Sequence, residues 1–233
     1  MKRLILIICL INWMVPEMTA QKERVKNQPY ADLKPFHLGF HVGLHAQDLI
    51  LTNTGISSDG EIWFAEIPSY SPGFSVGIIG DMLLNPYFNL RFTPTIHFGD
   101  KNVTFREYET GEEFSTSVRS NYFMLPLDLK FSAVRLNNYR PYLIGGAYTS
   151  FDLGRKKGNP LLMKGMDYGL SIGLGCDIYL PFFKLCPEIR LCFGLKDLLE
   201  KDRSDLIDPQ EWKYSNSLSK ATSRMIVFTF NFE

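Results

Sequence analysis

From Phe36 onward, apolar and polar positions alternate along this chain with a period of two. Phe36, Leu38, Phe40, Val42 and Leu44 are separated by His37, Gly39, His41, Gly43 and His45. Such alternation puts one kind of side chain on each face of an extended strand. The pattern returns in Phe74–Met82, and again in Phe88–Phe98 after Asn85-Pro86. It continues in Phe123–Phe131, Met166–Leu180, Phe183–Phe193 and Ile226–Phe232. Tyr139–Phe151 also reads as a strand. Glycines blur its phase, and our reading puts Tyr142, Ile144 and Tyr148 on its apolar side.

These segments suit the roughly 9 to 11 residues of a tilted membrane-spanning strand better than the five or six typical of soluble sheets. Short turns at Asn85-Pro86, Asn137-Asn138 and Pro181-Phe182 alternate with longer polar stretches at 46–72, 100–120, 152–165 and 195–222. Short turns on one side and long loops on the other predict an all-β fold, an eight-stranded antiparallel up-and-down transmembrane β-barrel. An even strand number places both termini on the periplasmic side. Closure is required because an open sheet edge in lipid leaves backbone groups unpaired.

The polar face decides which side is inside. It is rich in glycine and carries isolated charges of both signs: Asp81, Arg91, Asp128, Lys130, Asp167, Asp177, Glu188 and Arg190. A solvated face would favour Thr, Lys and Glu over glycine, whereas a narrow lumen needs small residues between pairable charges. We therefore assign those eight to the lumen and Phe40, Phe92, Leu127, Leu174, Leu191 and Phe228 to the lipid. On this assignment Leu174→Arg impairs assembly, and Gly173→Ala beside it is milder.

Composition narrows the partners. Lys+Arg and Asp+Glu both total 25, which argues against a nucleic-acid partner. Lys2 and Arg3, the apolar run Leu4–Ile11 and Met18-Thr19-Ala20 have the shape of a signal peptide over residues 1–20. Residues 21–35 read as an unpaired periplasmic N-terminal tail, and 36–233 as the barrel domain. Cys176, Cys186 and Cys192 have no metal-ligand spacing and read as packing residues.

Candidate chemistry is sparse. His37, His41 and His45 share one face, but neighbours among them lie about 13 Å apart at ~3.3 Å per residue. No pair of those three can share a metal, although His97 stands where it can approach His45 near one rim. The G-x-S-x-G spacing occurs at Gly73-Phe74-Ser75-Val76-Gly77 and at Gly169-Leu170-Ser171-Ile172-Gly173, but both fall on strands with no helix start after them, unlike a nucleophile elbow. We expect no catalytic residue, cofactor or metal. The segment Lys196–Arg203 suggests a short helical turn in the last external loop. Asp59, Glu61, Trp63, Phe64, Glu66 and Tyr70 mix acids with aromatics that suit a membrane boundary or a protein contact.

Several segments together resemble one family. Phe36-His37-Leu38-Gly39-Phe40, Pro72-Gly73-Phe74, Asn89-Leu90-Arg91-Phe92, Pro126-Leu127-Asp128-Leu129-Lys130, Asn138-Tyr139-Arg140-Pro141-Tyr142 and Phe182-Phe183-Lys184-Leu185 occur in the order seen in PorT proteins. These are outer-membrane barrels of the type IX secretion system of Bacteroidetes. The final strand Ile226–Phe232 looks like a signal for barrel-assembly machinery, except that Glu233 follows the last aromatic. The resemblance implies an accessory role in protein export, or in gliding where the same machinery supports it. It also implies contact with outer-membrane lipid and with other secretion-system envelope proteins. The alternative is a structural or small-solute barrel with no secretion role.

Overall fold

A computed structural model describes residues 26–55, 63–66, 71–119, 121–154, 162–200 and 217–233. The strands are β1 (Phe36–Asn53), β2 (Trp63–Glu66), β3 (Ser71–Asn85), β4 (Phe88–Phe92), β5 (Thr95–Phe98) and β6 (Asp100–Glu107). They continue with β7 (Glu113–Arg119), β8 (Tyr122–Ser132), β9 (Tyr139–Asp152), β10 (Met166–Tyr179), β11 (Lys184–Gly194) and β12 (Leu218–Phe232). The signal-peptide segment and most of the first loop, including Asp59, Glu61 and Tyr70, lie outside the described residues.

Strand neighbours run β1-β12-β11-β10-β9-β8-β4-β3, and β1 also pairs with β3, so the sheet closes on itself. β4 and β5 are two halves of one stave. Pro94 has no N–H to donate, so the ladder is interrupted there, yet its carbonyl still accepts from Ile78 N at 3.2 Å. The ring therefore has eight staves, all antiparallel. β1 is held on both sides, from Phe40↔Phe232 to Asn53↔Leu218 against β12 and from Phe36↔Met82 to Gln47↔Ser71 against β3.

Alternation places the greasy rows outside. Phe40, Phe92, Leu127, Leu174, Leu191 and Phe228 all project outward and are exposed. Neighbouring strands set aromatic pairs on this surface, Phe40 over Phe232 at 5.0 Å and Phe74 over Phe98 at 4.9 Å between ring centroids. A continuous apolar band of this kind is incompatible with water and suited to hydrocarbon.

β9 corrects the sequence reading. Tyr142, Ile144 and Tyr148 point inward and are buried, while Tyr139, Leu143 and Phe151 point outward. The cause lies on β10. Tyr142 faces Gly175 and Tyr148 faces Gly169 across the β9–β10 ladder. Each tyrosine ring occupies the space that a Cβ on the opposing glycine would need. The tyrosines fill the volume that the glycine row leaves open.

Beyond the ring, β5 and β8 run on into the β6–β7 hairpin, and β2 joins the edge of β6 to form a three-stranded sheet. Much of the expected 100–120 loop is thus ordered strand. Its Val103 and Phe105 pack with Trp63, Leu49, Leu198, Leu199, Leu218 and Ala221 into an apolar cluster. Leu49 and Ala221 continue the inward rows of β1 and β12, so this cluster caps the loop end of the lumen. The described part of Lys196–Arg203 is not helical. It is extended, and Leu199 forms a bridge to Met163.

The opposite end, with the short turns and Glu233, is closed by the described part of the tail. Residues 26–35 form no strand, but they are not free. Asn27 Nδ2 donates to Tyr179 O at 3.0 Å and Gln28 Nε2 to Leu180 O at 2.8 Å. The Asp32 carboxylate accepts from Tyr179 Oη at 2.5 Å and from Arg140 Nη1 at 3.1 Å. The Arg135 guanidinium lies 3.6 Å from the Tyr179 ring centroid. Asp32→Ala is expected to release this segment, since a hydrogen bond to a charged group contributes about 1.5–3 kcal/mol. Limited trypsinolysis should then cut after Lys26 several-fold faster while the barrel stays resistant. Unchanged cleavage would mean the tail is held by other contacts.

Candidate functional site

The lumen holds the chemistry. Arg91 on β4 is wholly buried, with Nε 2.9 Å from Asp81, Nη1 3.5 Å from Glu188 and Nη2 2.5 Å from Glu233. Asn89 also donates to Asp81. Glu188 accepts from Tyr142 Oη at 2.8 Å and pairs with Arg190 at 2.7 Å. Arg190 reaches Asp128 at 2.7 Å, and the other oxygen of Asp128 accepts from Ser171 at 2.9 Å. Lys130 crosses from β8 to Asp177 on β10 at 2.8 Å, with its ammonium 4.1 Å from the Tyr142 ring centroid. Lys184 completes the set at 2.5 Å from Glu233.

One connected network thus joins β3, β4, β8, β9, β10 and β11 to the residue after β12. Each buried ion loses several kcal/mol or so of hydration, and only complete pairing offsets that loss. The result is a set of cross-braces spanning the lumen. Two cavities of about 30 Å³ flank it, one lined by His41, Arg91, Thr95 and His97, the other by Gln47, Met124, Tyr148 and Leu198. Each has room for about a water or two.

Seven of the eight assigned lumen residues meet in this network; Asp167 stands apart. It lies nearer the loop end, where it accepts from Ser223 Oγ at 2.5 Å and from Tyr168 N at 2.8 Å. Tyr142, Lys184 and Glu233 are members that the sequence assignment left out. Lys184 shares the parity of Glu188 and Arg190 on its strand. Glu233, read as an oddity after the last aromatic, is instead the counter-ion that ties Arg91 to Lys184. Tyr142 follows the parity of Arg140, a cation that has no place in lipid.

The histidines separate. His37 Nε2 lies 2.8 Å from Ala31 O at the tail, and His41 Nε2 is 2.9 Å from Thr95 Oγ1. His45 and His97 meet, Nδ1 to Nδ1, at 3.4 Å. Cys176, Cys186 and Cys192 are free thiols.

Among solved structures the chain is similar to the outer membrane protein OprG of Pseudomonas aeruginosa, at 11% identity and TM-score 0.47, covering 84% of this chain and 93% of that one. Neisserial surface protein A is similar at 13% identity and TM-score 0.39, over 82% and 95% of the two chains. So is the outer membrane protein AlkL, at 11% identity, TM-score 0.38 and 93% of each. No curated protein matches. Residues 19–200 match the outer membrane protein beta-barrel domain. With its closed ring, apolar exterior and ion-paired interior, the chain belongs to the outer membrane protein beta-barrel domain family.

Proposed function

We propose that this outer-membrane barrel is an accessory of the type IX protein secretion machinery, supporting cargo export and, where the machinery also drives it, gliding. The observation that carries the reading is the braced lumen. Arg91, Lys130 and Arg190 cross it with paired carboxylates, and apolar and tail layers stand above and below. A barrel so filled has no path for a folded polypeptide, so a part in export has to run through association with a larger translocon. The ordered segments similar to PorT proteins supply the link to that machinery. No catalytic role is assigned.

The surface for such association lies at the turn end, where Tyr30, Leu33, Val134, Leu136 and Phe182 are exposed beside the docked tail. Barrel-assembly machinery is the expected partner during insertion, and secretion-system envelope proteins afterwards. The second reading, a structural barrel without a secretion role, is favoured by the breadth of the matched domain family.

Deletion of the gene, followed by quantification of secreted cargo in the medium, separates the two readings. The accessory reading expects cargo to fall at least about tenfold and to be retained in the periplasm, with other outer-membrane barrels at normal abundance. Normal cargo in the medium eliminates it. Co-purification from detergent-extracted membranes then identifies the envelope partners.

A further inference from the structure

We propose that His45 and His97 form an open Zn²⁺ site in the wall of the barrel, towards the end that carries the long loops. The two Nδ1 atoms are 3.4 Å apart. Two imidazole nitrogens bound to one tetrahedral Zn²⁺ at about 2.0–2.1 Å stand about 3.3–3.4 Å from each other. The side chains come from β1 and β5, two strands with β3 between them, so the match depends on how the wall is built. Across the ladders, His45 faces Gly73 and His97 faces Ser75. A Cβ at Gly73 would collide with the His45 ring, and one at Gly99 would lie 3.4 Å from His45 Nε2. These glycines let the His45 imidazole lie across β3 towards His97.

Two further observations point to a ligand. Gln47 is buried, its amide nitrogen 3.0 Å from His45 Nε2, while its Oε1 has no partner. The Gln47 amide can rotate by half a turn and exchange its oxygen and nitrogen. Turning the amide lets Oε1 accept from His45 Nε2–H, which satisfies the orphan oxygen and leaves a lone pair on Nδ1. That is the outer-shell arrangement that orients a metal-bound histidine. Ser75 Oγ and His41 Nδ1 are also buried without a partner. Ser75, directly opposite His97, is placed to hold a water ligand. Among the described residues no third His, Cys, Asp or Glu joins the pair to make a closed site. The ion therefore keeps water or other exogenous ligands in its remaining positions.

Binding needs both Nδ1 atoms unprotonated. The proton shared between them in the metal-free pair moves to Nε2 of His97, so the imidazoles change tautomer and lose no net charge. His97 borders the small cavity that would receive it. Bound between the two rings, the ion cross-links β1 to β5 over β3.

The test uses the untagged barrel, folded in detergent and stripped with chelator. Co²⁺ titration should give one equivalent of bound ion with a tetrahedral visible spectrum, displaced by Zn²⁺. His45→Gln and His97→Gln should each abolish stoichiometric binding. Gln47→Leu should weaken it about 10–100-fold, and His37→Ala should leave it unchanged. Should the histidine variants fail to fold, Cu²⁺ added to the wild type should still show coupling to two nitrogens in its electron paramagnetic resonance spectrum. Absence of stoichiometric binding to the wild type, or binding that survives in the double His45→Gln/His97→Gln protein, overturns the proposal. So does a Cu²⁺ spectrum without nitrogen coupling.

Discussion

Arg91→Met is expected to remove most folded barrel from the outer membrane. The substitution nearly preserves volume, so a purely space-filling role predicts little change. Here it strips the shared cation from Asp81, Glu188 and Glu233, all buried and all within reach of its guanidinium. Breaking one buried pair costs about 3–5 kcal/mol. A domain with a stability of roughly 5–15 kcal/mol does not absorb the loss of three such contacts. The measurement is the heat-modifiable mobility of the barrel and its abundance in the membrane fraction, with a fall of at least about tenfold expected. The control restores charge balance. Arg91→Met combined with Asp81→Asn should recover much of the folded form, because Glu188 keeps Arg190, Glu233 keeps Lys184, and the neutral Asn side chain demands no counter-ion. Lys130→Met should be milder and should be rescued by Asp177→Asn alone, since that pair is bidentate and self-contained. If Arg91→Met folds at wild-type levels, the network is decoration on a barrel held by its ladders.

Strand positions and the two faces were legible because a bilayer-spanning strand has only one way to sort its side chains. Phe74, Val76 and Ile78 reveal their face by what separates them, and the charges at Asp81, Arg91 and Lys130 follow by parity. What parity could not give is the partner across the lumen. Arg91 and Glu188 belong to staves distant in the ring, and their pairing depends on stagger, which no alternation records. Glu233 was unreadable for a related reason. In sequence it trails the final aromatic, and only the closure of β12 against β1 and β11 carries its side chain into the interior. The β9 phase failed because tyrosine suits either environment. Its hydroxyl finds Glu188 inside, and only the glycines on β10 show that the lumen needed a ring there.

The docking of the tail and the external sheet were missed on different grounds. Residues 26–35 lack periodicity because they bind through side chains and isolated carbonyls, not through a ladder. The β6–β7 hairpin has polar alternation too weak to read as a membrane strand, and it is not one; it extends past the ring. The approach of His97 to His45 was foreseeable as two inward histidines near one rim. The 3.4 Å separation was not, for it needs Gly73 between them.

Leu174→Arg is expected to cut folded, membrane-inserted barrel severely while leaving synthesis and export unaffected. Leu174 lies near the middle of β10, between Leu143 and Ile189 on the flanking strands, and all three are exposed on the outer face. An arginine at the bilayer midplane costs about 2–4 kcal/mol, and from mid-strand it cannot reach the headgroups without distorting the sheet. The milder neighbour expected from alternation, Gly173→Ala, does not survive the geometry. Its Cβ would stand 2.7 Å from Ile189 O and 3.1 Å from Ile144 Cγ2, so the lumen wall must shift to admit it. A fair control lies on the outer face, as Leu174 does, and has no such crowding. At Gly80 the nearest atom to an added Cβ is Phe36 Cζ at 3.6 Å, and Gly80→Ala should be close to neutral. Leu174→Val, which keeps the position apolar, should be nearly silent as well. The ranking is read by folding into vesicles and by heat-modifiable mobility. A silent Leu174→Arg beside a damaging Leu174→Val would mean that shape, not hydrocarbon, sets the requirement at this surface, and the outer face would then have to be covered by protein.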